Sequence, residues 1–407
     1  MYLTIFEKAK QPGQQLGALD PTSLYSAFEK VKDSRKARGK RYPLALLLTL
    51  LMLGKMAGEK TTNGVVDWVK ERKSWLKQQL NWPKGFPVNS TYTSALAECN
   101  AQEIVQAIAQ VILKARAEEE QKKHPSTLPE EEQEKLIHTA MDGKTLRGTL
   151  GHERVDQPAV HLLSLYECES GVVIAQEAVE RKENEISASE AFFHPLFVKG
   201  RIITTDAMHT QKKWCANVHA YGGYYLAIVK ENQAGVLEDL TDFFEDKDPE
   251  TFEWDDHKRV QKGHGRLETR EIWTSTQMNE WFEQEWAGIA QVFKIRRLRK
   301  KRGKEEKEVT YGLTNLPRKK ANAGRILELN QQHWRIENRL HYRRDVTLGE
   351  DACQIRVKHA PQVLAALNGG ILAIMDYLGV SNVAKQMRHF CAQPQEALQL
   401  LLGKLSR

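Results

Sequence analysis

LIHTAMDGKT, residues Leu136 to Thr145, is where the chain changes its period: before it apolar residues recur with helical spacing, and from here they alternate. The alternation predicts a strand over residues 138–144, ending in Asp142 and Gly143. Strands over 159–167 and 172–180 follow, with Ser170 and Gly171 as the tight turn between them. A helix-like pattern over 184–193, a strand over 201–206, a helix over 211–220 and a strand over 223–230 continue the series. This is an α/β order. Its first and fourth strands each end in an acid followed by a small residue, Asp142 before Gly143 and Asp206 before Ala207. In a sheet where those strands are neighbours, the two carboxylates stand side by side at one end. Two uncompensated carboxylates held that close share a proton or bind a cation. A single Asp at a strand end, by contrast, is ordinarily a turn former.

The third acid follows after a long interruption. In NQQHWRIENRLHYRRDVTLGED, Asn330 to Asp351, residues His333, Glu337 and His341 recur every four positions, and Arg344 extends the stripe by another turn. Ile336 and Leu340 make an adjacent apolar stripe suited to seating the helix on a sheet. Most polar helix faces are solvated surface, so this convergence gains weight only from the two aspartates upstream. A transition-metal site of His333, Glu337 and His341 is sterically open, but the stripe alone leaves it short of placed ligands.

The interruption, residues 235–322, reads as mainly β: 259–275 alternates, 292–298 is extended and 308–313 is a strand. Within it, GHGRLETR (Gly263 to Arg270) sets His264, Arg266, Glu268 and Arg270 at period two, on one face that is either solvated or a phosphate-contacting ribbon. Positive charge is densest at 294–304, KIRRLRKKRGK, which holds Arg296, Arg297 and Arg299, and a second basic block spans 30–41. With a net charge of +7, these blocks point to a polyanion, nucleic acid above all.

Residues 1–117 read as helical, including a buried helix in the apolar run 44–53, which is too short to span a bilayer. The proline-interrupted charge run EEEQKKHPSTLPEEEQE makes 118–135 a linker. Residues 136–234 then form the first part of the core, 235–325 the insertion, and 326–407 the acid-bearing helix and further helices. In the last of these regions Asn368, Gly369 and Gly370 weaken the middle of an apolar helix over 360–378. Five cysteines without a CxxC pair, and no apolar leader after Met1, predict a reducing, cytoplasmic setting. Walker, Rossmann and HExxH motifs are missing, so no nucleotide cofactor is expected.

Taken in order, MDGKTLRGT (Met141 to Thr149), KENEI (Lys182 to Ile186), IITTDAMHTQ (Ile202 to Gln211), GGYYLAIVKENQ (Gly222 to Gln233), GHGRLETR and HWRIENRLHYRRDVTLGED resemble the successive signatures of one family. It is that of bacterial insertion-sequence DDE transposases of the H-repeat-associated, ISAs-type group. DSRKARGKRYPL (Asp33 to Leu44) resembles their associated helical domain, and the similarity covers nearly the whole chain. The resemblance implies an α/β fold: an RNase H-like core, a mixed sheet flanked by helices, with a mainly β insertion and an N-terminal all-α domain. It implies Asp142, Asp206 and Glu337 as catalytic triad and metal ligands, for Mg²⁺ (or Mn²⁺) and two ions. It implies double-stranded DNA as partner, cleaved at the element's terminal repeats and joined to target DNA by a homodimer, without membrane. Arg344 falls where related transposases carry a basic residue that contacts the DNA end. His341 and Lys144 are further phosphate-holding candidates, beside His264, Arg266, Arg270, Arg296, Arg297 and Arg299 of the insertion. The chain departs from the family pattern at Tyr342 and Arg343, at Asn368 to Gly370, and over 87–96, which lacks the usual arginines. A nuclease without strand transfer, or a DNA-binding protein derived from a transposase, would share most of these features.

Overall fold

The computed structural model describes residues 19–123, 136–152, 159–179, 185–245, 254–263, 266–301 and 304–403. Six helices come first: α1 (Leu24–Glu29), α2 (Leu44–Met56), α3 (Thr62–Glu71), α4 (Lys73–Gln79), α5 (Asn89–Ala97) and α6 (Ala101–Lys123). Ser23 caps α1 by accepting from the Ser26 N–H at 3.1 Å, and Thr61 caps α3 by accepting from Gly64 at 3.0 Å. The longest apolar run becomes α2, and all 13 of its residues are buried. No helix among the described residues is long and apolar enough to cross a membrane.

The charge run expected to begin a linker at Glu118 instead prolongs α6 to Lys123. Glu, Gln and Lys are strong helix formers, and the last turns are held in place: the Tyr377 hydroxyl donates to Glu119, and Arg116 lies 5.6 Å from the Tyr377 ring centroid. The remainder of that linker, 124–135, lies outside the described residues.

The strands are β1 (Ile137–Thr145), β2 (His161–Glu167), β3 (Val172–Val179), β4 (Arg201–Thr205) and β5 (Tyr224–Val229), with short helices α7 (Glu185–Ala188) and α8 (Pro195–Val198) before β4 and α9 (Lys212–Ala220) between β4 and β5. β1 runs antiparallel to β2, which runs antiparallel to β3; on its other side β1 runs parallel to β4, and β4 parallel to β5. The first strand reaches Thr145, three residues past Asp142, because its pairing with β2 outlasts its pairing with β4.

The interruption does not interrupt the sheet. After α10 (Ala234–Glu245), a helix that the β-like patterning did not predict, come β6 (Asp255–Gly263), β7 (Arg266–Ser275), the short α11 (Asn279–Phe282), β8 (Gln291–Lys301) and β9 (Lys304–Thr314). β9 pairs antiparallel with β5 on one side and β8 on the other, giving one nine-stranded sheet in the order β3-β2-β1-β4-β5-β9-β8-β7-β6. The expected period-two face over residues 264–270 belongs to a single strand only from Arg266 onward; His264 and the Arg266 side chain lie outside the described residues.

α12 (Ala323–His333) leads into two π-helical segments, Ile336–His341 and Arg343–Thr347, followed by α13 (Ala360–Tyr377), α14 (Val383–Ala392) and α15 (Pro394–Leu402). Alternation along β4 and β5 splits the core. Ile203, Tyr225 and Ala227 join a large cluster with the N-terminal helices, α6 and α13, while Ile202 and Leu226 pack with Ile326, Leu327 and Leu329 of α12. The Asn368–Gly370 segment does not break α13. A Cβ on Gly370 would lie 2.8 Å from Ile108 of α6, so glycine permits the close crossing of the two helices.

Candidate active site

The β1–β4 ladder ends at the pair Met141↔Thr205, so the next residue on each strand is Asp142 and Asp206. The sequence made the acids' convergence conditional on these strands being neighbours; they are, and parallel pairing in this register carries both acids to the same end of the sheet. Asp142 is largely enclosed (side chain 16% exposed); Asp206, which opens the 3₁₀ turn Ala207–His209, is open to solvent (68%).

Glu337 projects from the first π-helical segment, which Ile336 and Leu340 anchor in the core. Partial desolvation, then the negative charges of Asp142 and Asp206, push its carboxyl above the usual carboxylate range. The four-residue stripe predicted for a regular α-helix is replaced by a wider turn in which the Tyr342 N–H reaches back to the Glu337 carbonyl. The two histidines diverge as a result. His341 Nδ1 lies 3.3 Å from Asp142 Oδ2, whereas His333 Nε2 lies 3.8 Å from Asp206 Oδ1. Burial pushes both imidazoles below their ordinary range, against the pull of the aspartates, so both are neutral near pH 7.

A hydrogen-bonded chain supports His333 from behind. Its Nδ1 lies 3.0 Å from Thr204 Oγ1, which lies 2.9 Å from Nε2 of buried His138, whose Nδ1 is 3.3 Å from Gln332. Burial drives His138 down to about 3. A second cluster sits behind Gly143, where buried Glu185 lies 2.6 Å from His161 and 3.2 Å from His209. Burial alone would raise the Glu185 carboxyl, but the two imidazoles outweigh it and bring it down to about 2. Sequence reading singled out KENEI without assigning this residue a partner, because both histidines lie 24 residues away on other elements.

Two basic residues expected at a phosphate are interior. Arg344 is wholly buried and paired with Glu350 at 2.7 Å. Lys144 is buried too, with Nζ 2.6 Å from Asp345 and 3.7 Å from Asp351, and it ties β1 to the second π-helical segment. Each long side chain has found a carboxylate within the fold, where the charge is shielded from water.

The insertion closes a groove of about 720 Å³ next to the acids, lined by Asp206, His333 and Trp334 on one side and by Arg270, Arg297 and Arg299 on the other. Arg270 stands directly opposite Arg297 in the β7–β8 register, and Glu268, itself buried, pairs with both and approaches Arg299 at 4.0 Å. Arg296 faces the other way: it bonds Glu271 at 2.6 Å and lies 5.1 Å from the Trp273 ring centroid, away from the groove.

By donor type and charge, Asp142, Asp206 and Glu337 suit hard divalent cations. Burial, and then the charges of the two aspartates, raise Glu337, and an ion would relieve the second of these. Among the described residues no three His, Cys, Asp or Glu side chains are closed to metal-holding distance, so the fit rests on oxygen donors and charge, with Asp206 the more exposed of the two aspartates.

The family described as "Transposase DDE domain" matches residues 133–371, and that described as "DDE_Tnp_1-associated" matches residues 25–112. YbfL of Escherichia coli K12 is 27% identical over 381 residues, 92% of this chain and 96% of YbfL. The H repeat-associated YhhI of the same strain is 27% identical over 381 residues, with the same coverage of 92% and 96%. Among solved structures, a cryo-EM piggyBac transposase synaptic complex with hairpin DNA superposes at a TM-score of 0.37 with 11% identity, over 96% of this chain and 81% of that one.

Proposed function

Starting from a chain that belongs to the DDE transposase family, we propose that Asp142, Asp206 and Glu337 are its catalytic carboxylates, set on an RNase H-like core. In this reading it cuts double-stranded DNA at the ends of an insertion sequence and joins them to target DNA. Water attacks the phosphorus at the element's end and the P–O3′ bond breaks, leaving a 3′-hydroxyl. That hydroxyl then attacks a target phosphodiester, whose own P–O3′ bond breaks as the new bond forms. Divalent ions held among the three carboxylates, two Mg²⁺ or Mn²⁺, would supply the Lewis acidity for both displacements.

The observation that carries this reading is the emergence of Asp142 and Asp206 just beyond the last β1–β4 rung; burial, and then their two charges, raise the Glu337 carboxyl. His341 orients Asp142 through its 3.3 Å contact. Arg270, Arg297 and Arg299 would take the DNA backbone along the groove, exchanging part of their carboxylate pairing for phosphate. A second basic surface, lined by Lys36, Arg38, Arg41 and Lys358 around a groove of about 870 Å³, supports DNA contact by the N-terminal helices. We read residues 136–234 and 326–407 as the catalytic part, 235–325 as the groove wall and 1–117 as the associated helical part. Acting in the cytoplasm, a homodimer would pair two DNA ends.

The experiment is incubation of a labelled terminal-repeat duplex and supercoiled plasmid with Mg²⁺ or EDTA, for wild type and Glu337→Ala. Metal-dependent cleavage and joined product, both lost in the variant, are expected. Cleavage without joining would make the protein a nuclease; binding without cleavage would leave a DNA-binding protein.

A further inference from the structure

We propose that Glu185 is a positioning residue that sets the separation of Asp142 and Asp206; the proposal rests on the reading of those aspartates as metal ligands. The ladder between β1 and β4 stops at Met141↔Thr205, so no strand pairing fixes the two acids relative to each other. Glu185 supplies a connection beyond that rung. It is 3% exposed, and its two oxygens reach two different supports.

Oε1 lies 2.6 Å from Nε2 of His161, the first residue of β2. The other nitrogen of that imidazole lies 2.8 Å from Thr145 Oγ1, three residues beyond Asp142 on β1. Oε2 lies 3.2 Å from Nε2 of His209. His209 closes the 3₁₀ turn that Asp206 opens, and its backbone N–H donates to the Asp206 carbonyl at 3.0 Å. A single carboxylate thus ties the β1–β2 edge below Asp142 to the turn that carries Asp206.

Gly143 is the clearance for this brace. A Cβ there would meet both Glu185 Oε1 and His161 Nε2 at 2.6 Å. The small residue after Asp142 therefore admits the Glu185 side chain. Within the trio each carboxylate oxygen already faces an imidazole nitrogen.

Mn²⁺ binding to the full chain, read from the paramagnetic resonance of the free ion, tests the brace in wild type, Asp142→Ala, Glu185→Ala, Glu185→Gln and Gly143→Ala, with the thermal unfolding of each recorded in EDTA. Asp142→Ala should abolish binding. Glu185→Ala and Gly143→Ala should weaken it about 10-fold or more, the loss typical when a group that orients a metal ligand is removed. Glu185→Gln, which keeps one acceptor and gains one donor, should recover most of it. Wild-type affinity in Glu185→Ala would overturn the proposal, as would losses that simply follow the fall in unfolding temperature across the variants. Mn²⁺ binding indifferent to Asp142→Ala would instead remove the ligand reading. The brace is then judged on the crystal structure of Glu185→Ala alone, where a displaced 207–209 turn supports it and an unmoved one overturns it.

Discussion

Arg344 donates from Nε to one oxygen of Glu350 at 2.8 Å, with Nη2 in ion-pair contact with the same oxygen at 2.7 Å, while the other oxygen of Glu350 accepts from Asn368 of α13 at 2.8 Å. The guanidinium is therefore half of an interior ion pair that fastens the acid-bearing segment to the helix beneath it. Burial pushes the Glu350 carboxyl up, but the Arg344 charge and hydrogen bond, helped by Asn368, hold it below the usual range. Arg344→Ala would strand that carboxylate. We expect a loss of about 3–5 kcal/mol in urea unfolding. The salt dependence of DNA binding, measured on the folded variant, should be that of wild type.

Glu337→Gln should stabilise the protein at neutral pH in EDTA. The Glu337 carboxyl is raised in the folded state, so the fold holds its proton more tightly than the unfolded chain does, and stability is lost as pH rises through the folded value. Gln removes that loss. The gain should vanish below about 4.5, the ordinary glutamate value, where both states are protonated. Mg²⁺ should raise the unfolding temperature of wild type more than that of the variant, and equal rises would contradict three acids acting as one site.

His138 gives the opposite slope. Held neutral down to about 3 against an ordinary value of 6.5, it favours the folded state above that range and the unfolded state as pH falls through it. Its share of the slope is at most about 1.4 kcal/mol per pH unit. His138→Gln should flatten the stability profile on acidification below 6.5 relative to wild type. Parallel profiles would show that His138 does not titrate on unfolding.

The two faces of the ribbon can be told apart by salt. Arg297→Ala and Arg299→Ala, which line the groove, should each lower the slope of log affinity against log salt by about 1. Arg296→Ala, on the other face beside Trp273, should leave that slope unchanged. A slope reduced by Arg296→Ala and not by Arg297→Ala would place the DNA on the wrong side of the sheet.

Alternation made the first five strands legible, because a strand's faces are written in neighbouring residues; the convergence of Asp142 and Asp206 hung on β1 and β4 being neighbours, which alternation does not encode. The segment around Glu337 was legible as a helix but not as a π-helix, since a spacing argument assumes the regular turn, and so His333 and His341 were assigned to one stripe when they serve different aspartates. Lys144 and Arg344 look like surface cations in the sequence; only the fold reveals that Asp345 and Glu350 have enclosed them. Asn368 and Gly370 look like defects in α13, yet one bonds Glu350 and the other admits Ile108. The joining of β9 to β5 depends on residues about 90 apart, which no local pattern encodes.

That junction leaves the groove wall without a joint. The arginines of β8 and the strand beside Asp206 belong to one hydrogen-bonded surface, so on the proposed reading the angle at which a duplex would meet the acids is inherited from the sheet's twist, about 20–25° from each strand to the next. Adding one residue to β9 would either open a bulge or shift its register, and a shifted register presents the opposite set of side chains to the groove. A substitution along the ribbon changes one side chain; a change in strand length changes which side chains face the groove.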